Sequence, residues 1–571
     1  MVKDVVAGGE YYACGSGPII EEVIEAVTVT EPSKMLDLIP EFIWDEAPDG
    51  ADYDYEGNLE FCGGVANEVE WPEYFLEENT SGAVFAYRQY NRHQGLECGE
   101  EMSPVMKLIP GKKYKINFIN SSGSNTNLHT HGLHLGGNGW SDDVFRLIPA
   151  GMCGVYFWEI APDHMSGMHW YHPHLHGMTF EQVRGRSFGP LFVEEIPEVF
   201  DTYPPSVQKW LDSTILLQMS VETVPSPMTN GDGVKDGRCV GGYDACYPRV
   251  NNKRHETVYL VENEWTAIVF NNVVPGGTGM DVIKFYDEEG EGPAPCETLI
   301  GGYDGVYRTS VPRPEETYPE EKGLFHINGA SRLLLAMKCS GPATMKLAKL
   351  DSTDNHYGLE NDVEAHLVPI LITFVTIEGE VTEASPYADE ATLTPWIPPR
   401  PVYLEDLTTY DGPVETWSIN TRVDMSTGIP IPLFNEQSFH GGEPNAKFTY
   451  EAVQEWSYHG SAAHPDGHPM HVHVNHVQIY GHSNMTGDGT DCGSNLEYAQ
   501  WYDTIRIKES DWDPCVARFK FNNYSGKVIM HCHDLLHEDG GMMGWVMVEG
   551  GPQDADANAP VKEPIDCVNI L

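Results

Sequence analysis

Positive charge is what this chain has least of. Its 571 residues hold 34 Lys and Arg against 86 Asp and Glu, a formal net charge of -52 and a pI of about 4.6. A surface of that sign repels the phosphates of nucleic acids and anionic headgroups, so neither nucleic acid nor a membrane is an expected partner. Long apolar runs are also missing. No segment approaches the ~20 residues of a membrane-spanning helix. The opening MVKDVVAGGEYYACGSGP has no apolar core long enough for a secretory signal, so the chain reads as a soluble mature form.

Turn formers and aromatics are plentiful. The 57 Gly and 40 Pro are interspersed with short apolar runs, which favours a turn-rich β architecture over helical bundles. A hydrophobic content of 41%, with 13 Trp, 28 Tyr and 20 Phe, supplies sizeable cores and excludes disorder throughout. The length suggests about three domains. We expect an acidic N-terminal extension over 1–74, then domains over 75–200, 201–390 and 391–571. The prolines of Ile196–Pro205 and of Thr394–Pro401 mark the joins. Lys113–Asn120 alternates polar and apolar residues, as a half-buried strand does. The second domain holds no His or Cys at ligand spacing, and its expected role is structural.

Twelve cysteines are present. Cys239 with Cys246 and Cys492 with Cys515 are plausible disulfide pairs, although connectivity cannot be read from spacing. Disulfides imply an oxidising compartment, so a secreted or extracytoplasmic location is expected. Asn79, Asn120, Asn484 and Asn523 lie in Asn-X-Ser/Thr sequons. The acidic surface reads first as a strongly solvated one. A field that concentrates metal-ion substrates is the sharper alternative.

One stretch concentrates the chemistry: His531-Cys532-His533-Asp534-Leu535-Leu536-His537-Glu538-Asp539-Gly540-Gly541-Met542. Strand side chains alternate faces, so His531 and His533 point one way and Cys532 the other. A cysteine with a histidine and a methionine downstream reads as a blue-copper site. Three further non-overlapping His-X-His pairs follow the same rule: His129/His131, His172/His174 and His471/His473. A chain with 24 His will hold one such pair by chance, but four pairs, two early and two late, point to metal. His468 lies at an odd offset from His471 and can face Cys532. His537 can fold back around a turn, and Met542 can reach an axial position, with Met543 as the alternative. His134, His169, His176, His464 and His476 are read as structural or supporting.

The motifs HTHG, WYHPHLHG, HPMHVH and HCHDLLHEDGGM, in this order, resemble the copper signatures of the multicopper oxidases, from about residue 75 to 550. The resemblance implies an all-β fold of three cupredoxin-like Greek-key β-barrel or sandwich domains, with copper held by the first and third. It implies four copper ions. His468, Cys532 and His537, with Met542 axial, would hold the type 1 copper. His129 and His471 would hold the type 2 copper, and His131, His172, His174, His473, His531 and His533 the type 3 pair. Glu538 and Asp142 match carboxylates that family members carry near the cluster, where O2 reduction needs protons. The implied activity is a laccase-like oxidation of phenolic or aromatic donors coupled to reduction of O2 to water, by a monomer. A metal-ion oxidase acting on Mn(II), Fe(II) or Cu(I) is the alternative, with no dense Met-rich insert to favour Cu(I). A non-enzymatic copper carrier would need only the Cys532 site, and a nitrite reductase would not need four His-X-His pairs. Two departures stand out: His169 before the Trp-Tyr-His run, and polar Asn475 after His473. The linking loops and the acidic N-terminal stretch match no member, so the resemblance says nothing of the donor.

Overall fold

The computed structural model describes residues 31–33, 39–64, 84–90, 97–224, 245–275, 282–312, 324–348, 370–424, 426, 431–460, 467–482, 496–507, 514–552, 565 and 567. These form three pairs of facing β-sheets, a two-stranded sheet of Tyr387–Asp389 with Thr394–Pro395, and a few short helices.

In the first pair, the predicted strand Lys113–Asn120 runs parallel to Tyr55–Gly63 and antiparallel to Cys153–Glu159. The facing sheet orders Met106–Leu108, Gly189–Val193, Gly167–His172 and His129–His131. Phe61, Phe118, Tyr156, Tyr171 and Leu191 fill the space between. This corrects the expected extension over 1–74, because residues 55–63 are an inner strand of the first sandwich. Leu59 and Phe61 are fully buried. The acidic residues of this stretch are paired: Glu56 with Lys115 Nζ at 2.6 Å, and Glu60 with Arg88 Nε at 2.8 Å.

The second pair sets a six-stranded sheet, containing Thr266–Asn272 and Arg332–Cys339, against a five-stranded one. Its core is apolar, from Ile215 through Phe374. The third pair sets a six-stranded sheet against Ala446–Thr449, Met543–Glu549, Gly526–Cys532, His468–Val472 and Thr504–Ile507, in that order. Parallel and antiparallel neighbours in mixed order, with crossovers between sheets, are the mark of Greek-key sandwiches. The fold is all-β with three cupredoxin-like units.

The expected joins are packed rather than free. Ile196–Pro205 contains the helix Pro197–Phe200 and leads into Pro205–Asp212. Trp396 of the Pro-rich segment is buried between Tyr203 and Tyr307, with ring centroids 4.8 and 5.1 Å away.

The described disulfides are Cys62–Cys98, Cys153–Cys567 and Cys296–Cys339. None was paired from sequence. Cys153–Cys567 spans 414 residues, which no local spacing announces. Cys515 is disulfide-bonded. Cys239, Cys492, His464, Asn79 and Asn484 lie outside the described residues. The Asn120 side chain is fully buried and donates to the carbonyls of Ser124 and Ile148, which closes that sequon to a glycan in the folded chain. Among the described residues, no helix is long and apolar enough to cross a membrane.

Candidate metal centre

Two ladders aim the imidazoles. In the first domain His129–His131 pairs with Gly167–His172, placing His129 opposite His172 and His131 opposite Trp170. Directly opposed residues share a face, so these side chains project together. In the third domain His471 stands opposite His531, and Met470 opposite Cys532. The alternation therefore sends His471 and His531 to one side and Cys532 to the other.

The two histidine faces meet. Ligand nitrogens of His131, His172 and His533 lie within 4.8 Å of one another, as do those of His471, His473 and His531 and those of His129, His174 and His473. His174 Nε2 is 3.0 Å from His531 Nε2. The His131 ring stacks on His471 at 3.7 Å and the His129 ring on His473 at 4.0 Å. Trp170 lies against His131 and His172, at 4.9 and 4.3 Å.

All eight rings are buried. Burial, and then the neighbouring imidazoles, hold His129, His131, His473, His531 and His533 well below the usual histidine range. Burial likewise pushes His174 down to about 3 and His471 to about 4. Neutral imidazoles keep the lone pair that binds a metal. The outer nitrogens are fixed by the protein. His129 Nδ1 meets Asp142 Oδ2 at 2.8 Å, His172 Nδ1 the Pro173 carbonyl at 2.8 Å, and His471 Nδ1 the Asp503 carbonyl at 2.9 Å. Donation through Nδ1 leaves Nε2 as the inward lone pair. The Nε2 atoms of all three are buried without a hydrogen-bond partner. His131 is reversed: its Nε2 lies 3.3 Å from Asp503 Oδ1, and its Nδ1 is the unpartnered atom. Buried nitrogens left unpaired cost free energy, and a metal ion among them removes that cost. The donor set fits copper, which imidazole suits.

Behind this face, Cys532 Sγ lies 3.5 Å from His468 Nδ1 and 3.7 Å from His537 Nδ1. His537 returns on the short helix Leu535–Asp539, whose first turn is capped by the Asp534 carboxylate accepting from Leu536 N. Met542 is fully buried in the same apolar cluster as Cys532. Met543 stands opposite His531 and packs with Val144 and Ile529 instead. Burial pushes the Cys532 thiol well above its ordinary range, and a cation bound beside it would favour the thiolate. One thiolate, two imidazoles and a thioether form the donor set of a blue-copper site.

Carboxylates surround the histidines. Asp142 accepts from Thr130 N at 2.9 Å while holding His129. Glu538 is fully buried, with one oxygen 3.3 Å from His174 Nδ1 and the other 3.3 Å from His531 Nδ1. Burial, with Asp539 beside it, raises Glu538 well above the usual carboxylate range. Asp539 accepts from the backbone N–H groups of Gly177 and Phe180, each at 2.8 Å, and so pins the first domain to the third.

Sequence reasoning missed Asp503. No motif marks it, but the pairing of His468–Val472 with Thr504–Ile507 brings it beside the cluster. It also missed Arg332 and Asp304 of the middle domain, which pair with Asp503 or its backbone. Of the extra histidines, His169 Nδ1 lies 3.5 Å from an Arg332 nitrogen, and His476 Nε2 donates to the Asp304 carbonyl at 2.7 Å. His134 Nδ1 donates to the Val474 carbonyl at 2.6 Å, and the His176 ring packs on Phe439 at 5.1 Å. Asn475 is buried.

Comparison with known proteins bears on both ligand-bearing domains. Two family models, each described as multicopper oxidase, match residues 89–198 and 397–552. The multicopper oxidase mco of Staphylococcus epidermidis is 34% identical over 165 residues, covering 27% of this chain and 35% of that protein. Laccase-6 of Arabidopsis thaliana is 26% identical over 129 residues, covering 22% of each. The matched part of the chain thus spans about a third or less of these curated relatives. In architecture the similarity is wider. A solved structure described as "Multicopper oxidase from Campylobacter jejuni: a metallo-oxidase" superposes with a TM-score of 0.61 at 18% identity, over 91% of this chain and 96% of that one. Family models match both halves of the histidine set, and the fold is shared over 91% of the chain, so the comparisons together indicate a multicopper oxidase.

Proposed function

We propose that the chain is a laccase-like oxidase that takes single electrons from phenolic or aromatic donors and delivers them to O2, which is reduced to water. The observation that carries this reading is the position of Cys532, on one face of a strand whose adjacent residues His531 and His533 join the eight-histidine group on the other. An electron accepted at the cysteine side has a path of a few covalent bonds to the oxygen-reducing side.

His468, Cys532 and His537, with Met542, would hold a type 1 copper. His129 and His471 are assigned to a type 2 copper, and His131, His172, His174, His473, His531 and His533 to a type 3 pair. Copper supplies one-electron acceptance at the first site and O2 reduction at the second. The protein supplies the rest. Asp142, the Pro173 carbonyl and the Asp503 carbonyl fix the imidazole tautomers from outside. Glu538, whose proton affinity is raised by burial and by Asp539 beside it, would hold a proton 3.3 Å from two histidines of the group. The described disulfides support a secreted or extracytoplasmic location.

The net charge of -52 favours a second reading in which the donor is a metal cation, drawn in by the acidic surface. Steady-state rates on a phenol, bilirubin, Mn(II), Fe(II) and Cu(I), with O2 consumption as the common readout, separate the two. Faster turnover on an organic donor than on any metal ion is expected. A metal ion as the preferred donor would replace the first reading with the second.

A further inference from the structure

Among the described residues, the middle domain gives no imidazole to the histidine group. It gives a guanidinium. Arg332 opens the strand Arg332–Cys339 and is fully buried. Its Nη1 donates to Asp503 Oδ1 at 3.0 Å and its Nη2 to Asp503 Oδ2 at 2.5 Å, a two-pronged grip on one carboxylate. Arg332 is itself held by the carbonyls of Met168, Ala330 and Asp304, at 3.1, 3.1 and 2.9 Å. Asp304 Oδ2 accepts from Asp503 N at 3.1 Å, fixing the backbone of the gripped residue as well.

Asp503 faces the cluster twice. Its carboxylate lies 3.3 Å from His131 Nε2, and its carbonyl accepts from His471 Nδ1 at 2.9 Å. His131 is turned with its unpartnered Nδ1 inward, and its Nε2 faces the Asp503 carboxylate at 3.3 Å and the Thr504 hydroxyl at 3.5 Å. Gly132, the glycine of the HTHG motif, has φ +88. A Cβ there would lie 2.3 Å from Arg332 Nη2 and 2.6 Å from Asp503 Oδ2. The ligand strand thus passes directly over the ion pair, with no room for a side chain.

We propose that Arg332 is a positioning residue for the metal cluster: through Asp503 it sets the ring orientation of His131 and the hydrogen bond that orients His471. The inference rests on the assignment of these histidines as copper ligands. Burying an ion pair is costly, and apolar side chains of similar volume often serve stability as well. What a forked guanidinium adds is direction, since it holds a carboxylate in a single plane. The middle domain, which the sequence marked as structural, thereby takes part in building the cluster between its neighbours.

The test uses the full copper-loaded chain with R332K and R332M. Copper content, blue absorption and the electron paramagnetic resonance spectrum of the cluster copper are measured. Both variants are expected to keep the blue absorption and to bind cluster copper about 10–100-fold more weakly, the range seen when groups behind metal ligands are lost. R332K keeps the charge without the fork and should retain more cluster copper than R332M. If R332M loses the blue absorption as well, it has failed to fold and R332K decides. A full complement of copper with an unchanged spectrum in R332K overturns the proposal. A wild-type chain that binds only the blue copper overturns the ligand assignment, and the proposal with it. A fully loaded wild type beside fully loaded variants overturns the proposal alone.

Discussion

His471 and His531 stand directly opposite each other in the antiparallel ladder between His468–Val472 and Gly526–Cys532, and the next pair along is Met470 with Cys532. One register therefore sends His531 toward the histidine group and Cys532 to the opposite face, because adjacent pairs point to opposite faces. Cys532→Ser should remove the blue absorption and lower copper content by about one ion in four, leaving the cluster spectrum in place. Optical and resonance spectra with elemental analysis check this. Loss of all copper would show that the two sites do not assemble separately.

Glu538 bridges His174 and His531 from outside, at 3.3 Å to each. Glu538→Gln keeps the shape and removes the transferable proton. Steady-state O2 reduction should fall by about 10²-fold or more, the usual range for a positioned acid, while blue absorption stays. Undiminished turnover would remove Glu538 from proton delivery.

His164 lies away from the cluster, with Nδ1 donating to the Met165 carbonyl at 2.8 Å and Nε2 accepting from His134 N at 3.0 Å. Burial pushes His164 down to about 4 and His134 to about 3. The unfolded chain protonates both near the ordinary value of about 6.5, while the folded chain does not. Below that pH the unfolded state binds more protons, so stability is lost as pH falls toward 4, by up to about 1.4 kcal/mol per pH unit for each histidine. Urea midpoints of the copper-free protein should drop between pH 7 and 5, and His164→Gln should flatten the slope. An identical slope in the variant would contradict the assignment.

An excess of acidic residues that leaves -52 charges on one chain must repel itself. Raising NaCl toward 0.1 M, where the screening length is about 10 Å, should raise the melting temperature. A melting temperature that is flat or falls over that range would show that the carboxylates are locally compensated.

The copper motifs are legible in the sequence because their logic is local. A period of two places each His-X-His pair on one face, and the odd offset of His468 from His471 places it with Cys532. The clamp behind His131 has no local logic. Asp503 reaches the site only through the pairing of its strand, and Arg332 arrives from a different domain. Residues 55–63 mislead for a related reason. Their acidic composition suggests an extension, but Glu56 and Glu60 are paired with Lys115 and Arg88 of other strands of the first sandwich. Cys153 and Cys567 pair for reasons of tertiary structure alone.

In the proposed reaction, electrons accepted beside Cys532 cross to the histidine group and reduce O2 fully. The most direct measurement is the ratio of donor oxidised to O2 consumed by the copper-loaded chain, with hydrogen peroxide assayed in parallel. A ratio of about four one-electron donors per O2, with no peroxide released, is the predicted result, since four electrons and four protons make two waters. A ratio near two with peroxide accumulating, or a blue protein that consumes no O2, would contradict it.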